Sequence, residues 1–96
     1  MDKDKVVVVF TMNGCPYCDM LKIMLREAKL DFVGRDIDEH KDEYEMFSKA
    51  VGNEYVPALM LIENPHDNPK TNLYAPERDY NELEDAVKII REFYGL

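Results

Sequence analysis

An unbroken apolar run, Val6-Val7-Val8-Val9-Phe10, leads through Thr11-Met12-Asn13-Gly14 into Cys15-Pro16-Tyr17-Cys18. A β-branched run without polar alternation is how a strand covered on both faces reads, and such strands are typical of α/β sheets. Asn13-Gly14 is a turn signal. Pro16 suits the first turn of a helix, where its missing N–H has no intrahelical partner anyway. The stretch therefore predicts a buried strand over residues 5–11, a turn, and a helix with two thiols at its start.

The helix is expected over residues 16–29. Tyr17, Leu21, Leu25 and Ala28 fall on one stripe, with Met20, Ile23 and Met24 beside it and Asp19, Lys22, Arg26 and Lys29 on the opposite face. So wide an apolar face suits packing on a sheet, and the methionines are read as core filling. Residues 31–37 predict a second strand, parallel to the first through a strand-helix-strand crossover. An acidic first turn from residue 38 opens a second helix with Tyr44, Phe47 and Val51 inward, and Gly52-Asn53 closes it. Residues 58–62 predict a third strand entered from Pro57, where a missing N–H costs no ladder bond. The turn formers of residues 64–70 join it to an antiparallel fourth strand over residues 71–75. Asp79, with Glu82 three residues on, reads as the capping box of a last helix reaching Tyr94, with Leu83, Val87, Ile90 and Tyr94 inward. The element order is β-α-β-α-β-β-α, and residues 1–96 are read as a single domain.

Composition narrows the partners. The net charge of -8 disfavours nucleic acid, whose phosphates it would repel. No apolar run approaches the roughly 20 residues of a membrane span, and the charged start leads into too short an apolar stretch for a signal peptide. A cytoplasmic location and a monomer are expected.

The 2 cysteines lie in one Cys-x-x-Cys. A disulfide between them closes too short a loop to restrain the unfolded chain much. Zinc needs two further ligands, and His40 and His66 form no ligand-like pair. Hydrolase chemistry lacks a base-supplying histidine and an orienting third group. Redox chemistry is the preferred reading. Cys15, ahead of Pro16, falls at the helix cap, where unpaired amides and the positive end of the helix dipole favour a thiolate. Cys18 lies one turn in and is expected to be more buried. Cys15 is thus the expected nucleophile and Cys18 the resolving thiol.

The run from Phe10 to Cys18 closely resembles the active-site stretch of dithiol glutaredoxins, and Tyr55-Val56-Pro57 resembles their Thr-Val-Pro segment. The element order is similar to that of the thioredoxin superfamily, whose fold is a three-layer α/β structure around a four-stranded mixed sheet. The resemblance implies a cis Val56-Pro57 bond opposite the cysteines, leaving the Val56 backbone to pair with a substrate peptide as an added strand. It implies that Tyr17, Tyr55, Val56 and Pro57 line a glutathione groove. It further implies glutathione as co-substrate, no permanently bound cofactor, and disulfide-containing or glutathionylated proteins as partners, with ribonucleotide reductase a candidate.

Two departures mark the chain. Met12 stands where the family usually has a lysine for a glutathione carboxylate. The segment Leu73-Tyr74-Ala75-Pro76-Glu77-Arg78-Asp79 lacks the family's Gly-Gly pair and resembles the end of the sheet in thioredoxin and disulfide-isomerase domains. Arg78 is a candidate to replace the lost positive charge, and Asp79 to present capped helix amides to an anion. Two alternatives follow: a thioredoxin-like protein recharged by a flavoprotein reductase, and a non-catalytic thioredoxin-fold binding module.

Overall fold

A computed structural model describes residues 4–96. Its elements are β1 (Lys5–Thr11), α1 (Pro16–Glu27), β2 (Val33–Asp36), α2 (Lys41–Val51), β3 (Ala58–Glu63), β4 (Lys70–Tyr74) and α3 (Leu83–Phe93). The strands lie in the order β2-β1-β3-β4. β1 runs parallel to β2 and antiparallel to β3, and β3 is antiparallel to β4.

The unalternating valines are explained by what covers each face of β1. Val7 and Val9 pack with Leu59 and Leu61 of β3 against Leu21 and Leu25 of α1 and Ala86 and Ile90 of α3. Val8 and Phe10 turn the other way, onto Tyr44, Phe47 and Val51 of α2. The Phe10 ring centroid lies 5.5 Å from that of Tyr44 and 5.2 Å from that of Phe47. Because successive strand side chains alternate faces, a strand between two helical layers must be apolar at every position. Each such side chain, fully buried, contributes about 1.5–3 kcal/mol. The result is the three-layer thioredoxin-like fold.

The boundaries moved for local reasons. α1 stops at Glu27, and Lys29 adopts a left-handed φ of 58°, with the Leu30 N–H donating back to the Leu25 carbonyl at 2.9 Å. β2 covers only part of the expected 31–37, as an edge strand paired to β1 alone from Val33 onward. α2 begins three residues later than its acidic run. The Asp36 carboxylate accepts the Asp38 N–H at 2.8 Å, and the Asp36 carbonyl accepts those of Glu39 and His40. Gly52, at φ 82°, closes α2 as its sequence signal indicated.

Two expectations are corrected. Asp79 does not cap α3: the helix starts at Leu83, and Glu82 takes the cap position with no side-chain bond. The Asp79 carboxylate accepts the Ala75 N–H at 2.8 Å instead, fastening the turn that leaves β4. The inward stripe of α3 accordingly centres on buried Ala86 and Ile90, with Leu83, Val87 and Tyr94 half-buried. The second correction concerns α1. Leu21 and Leu25 are buried as expected, but Tyr17, Met20 and Ile23 are exposed and Met24 is half-buried. The apolar arc of α1 is wider than the strip it shares with the sheet and α3, so those residues are not core filling.

Candidate active site at the start of the first helix

Gly14 carries the turn between β1 and α1, at a φ of 75° that residues with a Cβ rarely adopt. The chain then enters Cys15 in extended conformation, and Cys15 occupies the N-cap position of α1, with Pro16 in the first turn. Cys15 and Cys18 form a disulfide with their Cα atoms 5.3 Å apart. The Cys18 N–H donates to the Cys15 sulfur at 3.1 Å. A cap side chain ordinarily supplies an oxygen to these amides; here a sulfur takes that place. When the disulfide opens, that amide and the positive end of the helix dipole stabilise negative charge on the Cys15 sulfur. The two cysteines differ in access, since Cys15 is 7% exposed and Cys18 is 0% exposed.

The β1–β3 register ends at Phe10↔Ala58. The segment before Ala58 therefore lies at the end of the sheet from which the cysteine turn departs. The Val56-Pro57 peptide bond is cis. Among the described residues neither the N–H nor the C=O of Val56 has a hydrogen-bond partner. The neighbouring groups are held firmly. The Tyr80 hydroxyl donates to the Pro57 carbonyl. Asn53 accepts the Tyr55 N–H at 3.2 Å and donates to the Pro76 carbonyl at 3.2 Å. The strand end and the turn after β4 are thus joined around one unpaired peptide edge.

That edge opens on a groove of about 880 Å³, and the fold brings Tyr17, Tyr55, Val56 and Pro57 together in its lining. Arg78 and Asp79 do not line it. Their side chains pair with each other at 3.3 Å on the outside of the turn. Met12 lies elsewhere too, 42% exposed, over a smaller cavity with Asp19, Lys22, Asp36 and Glu39. Burial, and secondarily the Asp79 carboxylate, push the Tyr80 phenol up from its ordinary value, so it stays a hydrogen-bond donor.

Sequence reasoning missed Tyr80 and the groove-facing roles of Met20 and Ile23. Tyr80 was findable, because the apolar spacing Leu83, Val87, Ile90 extends back three residues to it. Nothing local in the sequence marked the two α1 residues, whose exposure depends on where α3 stops covering α1.

A comparison with curated proteins found no match. Ten chains of solved structures match. One of them, described as human ERp44 zinc-bound form, is 19% identical with a TM-score of 0.49. The match covers 93% of this chain and 25% of that one, so the chain spans about a quarter of that protein's length. Residues 7–64 match the family model Glutaredoxin. They include the dithiol turn and the Val56-Pro57 edge and make up more than half of the sequence, so the chain belongs to the glutaredoxin family.

Proposed function

We propose that this chain is a thiol–disulfide oxidoreductase that reduces protein disulfides and glutathione mixed disulfides through Cys15, with Cys18 resolving and glutathione supplying the electrons. The observation that carries the reading is the asymmetry of the pair: the Cys15 sulfur caps α1 with a small residual exposure, and Cys18 is fully buried one turn in.

With a protein disulfide, the Cys15 thiolate attacks one sulfur, forms a mixed disulfide and expels the other sulfur as a thiolate. Cys18, losing its proton to water, then attacks the Cys15 sulfur. That step expels the second substrate thiolate and closes the Cys15–Cys18 disulfide. Two electrons pass to the substrate, and two glutathione thiols restore the dithiol while forming glutathione disulfide. With a glutathione mixed disulfide, Cys15 takes the glutathionyl group and releases the protein thiolate, and a second glutathione removes that group without Cys18. The Val56 backbone offers the substrate peptide a donor and an acceptor, with Tyr17 and Tyr55 as apolar walls.

The test follows deglutathionylation of a small mixed disulfide with glutathione as the sole reductant. Turnover that survives Cys18→Ser is the expected result, and no turnover in the unmodified protein would sink the glutathione route. A second reading, recharging by a flavoprotein reductase, has Met12 in its favour, since a thioether stands at that position in place of a cation for a glutathione carboxylate. Rapid re-reduction by such a reductase with glutathione inert would decide for it.

A further inference from the structure

We propose that the groove beside the disulfide selects polypeptide segments that carry cationic and apolar side chains around their oxidised cysteine. This deepens the oxidoreductase reading and rests on it. Tyr17, Met20 and Ile23 are 67%, 56% and 51% exposed on consecutive turns of α1, and Tyr55 faces them at 54%. These side chains line one concave surface that runs away from the Val56 edge. Exposed apolar side chains gathered in one groove mark an interaction site, whereas scattered ones do not. The stripe from Tyr17 to Met24 rises about 10 Å along the helix, the reach of about three extended residues. A segment seated there has its backbone at Val56 and its neighbouring side chains on the apolar floor.

The rim supplies the sign. Glu77, Glu82 and Glu84 line the groove, and no lysine or arginine does among the described residues. Arg78, the nearest cation in sequence, is held outside by Asp79. The carboxylates are exposed, and Glu82 makes no capping bond that would tie its charge to the helix. Low-dielectric walls with one sign of charge focus the field toward an incoming segment. A cysteine flanked by Lys or Arg and an apolar residue satisfies both floor and rim. An acidic segment meets repulsion at the same place.

The test is single-turnover reduction by the pre-reduced full chain. Peptides carry one cysteine as a mixed disulfide with a coloured aryl thiol and differ only in flanking Lys, Glu or Gln. Cys15 attacks the peptide sulfur and the aryl thiolate, the better leaving group, departs. Cys18 then releases the peptide thiol, and no outside reductant is consumed. Lys-flanked peptides are expected to react on the order of tenfold faster than Glu-flanked ones at low salt, with the gap closing as salt is raised. Replacing Glu77, Glu82 and Glu84 by Gln together should remove the preference. Asp42→Asn, Glu45→Gln and Glu92→Gln, which change net charge equally at exposed positions on α2 and the far end of α3, should retain it. Equal rates for all peptides, or a preference that outlives the rim replacements, overturn the proposal while leaving the oxidoreductase reading intact. Failure to reduce even a small neutral aryl disulfide overturns the reading beneath it.

Discussion

Residues 7–64 and 65–96 build one groove under different constraints. In the first region the positions around the dithiol have packing or chemical duties: β1 fills both cores, Gly14 makes the turn, and Cys15 caps α1. The second region packs on the core through buried Ala75, Tyr80, Ala86 and Ile90, with half-buried Leu83, Val87, Ile89, Phe93 and Tyr94 beside them. Between those points it presents Glu77, Glu82 and Glu84 to the groove, side chains that no packing requirement fixes. The dithiol and the apolar floor thus lie in the first region, and the charges an incoming segment meets lie in the second.

Removing the attacking sulfur should do the most damage. Cys15→Ser should lower the rate of small-disulfide reduction by on the order of a thousandfold or more, because it removes the attacking atom. Steady-state assay of the variant measures it directly. Activity within tenfold of the unmodified protein would place the nucleophile elsewhere and dissolve the division of labour.

Stability comes next. Leu25→Ala in the first region and Ile90→Ala in the second both empty fully buried sites in one cluster. Each should cost about 2–5 kcal/mol by urea unfolding. A cost below about 1 kcal/mol for Ile90→Ala alone would make the second region an appendage, contrary to its place in the core.

How far the sequence revealed the fold divides at nearly the same boundary. The limits of β1, the roles of Leu21 and Leu25 and the closure at Gly52 were legible because each rests on a local rule with no competitor. Asp79 misled because its carboxylate satisfies two local patterns equally. Its spacing to Glu82 fits a capping box, yet the same oxygen reaches the Ala75 amide four residues back. Tertiary packing of Tyr80 onto Pro57 decides for the turn, and no sequence window contains that partner. The dithiol and the Val56-Pro57 edge were legible as residues. Their groove was not, since its α1 wall is apolar surface left over where α3 ends.

A pair of identical substitutions sharpens the contrast. The Tyr80 hydroxyl, buried in the second region, bonds the Pro57 carbonyl of the first. The Tyr44 hydroxyl is buried without a partner among the described residues. Tyr80→Phe should therefore destabilise by about 1 kcal/mol or somewhat more. Tyr44→Phe should be neutral or stabilising, because an unsatisfied hydroxyl leaves the core. Alkaline pH provides a second readout. Burial raises the Tyr80 pKa above its unfolded value near 10. Below about pH 10 both states keep the proton and the phenol's contribution is complete. Above it the unfolded chain loses its proton first, so stability falls as pH rises. Tyr80→Phe should reduce that alkaline slope in unfolding titrations. An unchanged slope would mean that Tyr80 ionises in the folded state as freely as in the unfolded one.

The smallest expected effect bears on what the second region leaves out of the site. Arg78 is bonded to Asp79 on an exposed turn, with side-chain exposures of 47% and 23%. Exposed pairs of this kind contribute about 0–1 kcal/mol, so Arg78→Ala should scarcely move the urea midpoint. It should equally leave KM for a glutathione mixed disulfide unchanged, because Arg78 does not line the groove. A several-fold rise in KM with kcat preserved would mean that Arg78 leaves Asp79 to bind a carboxylate of the bound tripeptide. The second region would then supply cation as well as anion to the substrate, and the acidic rim would no longer act alone. An unchanged KM leaves Glu77, Glu82 and Glu84 as the charges an incoming segment meets.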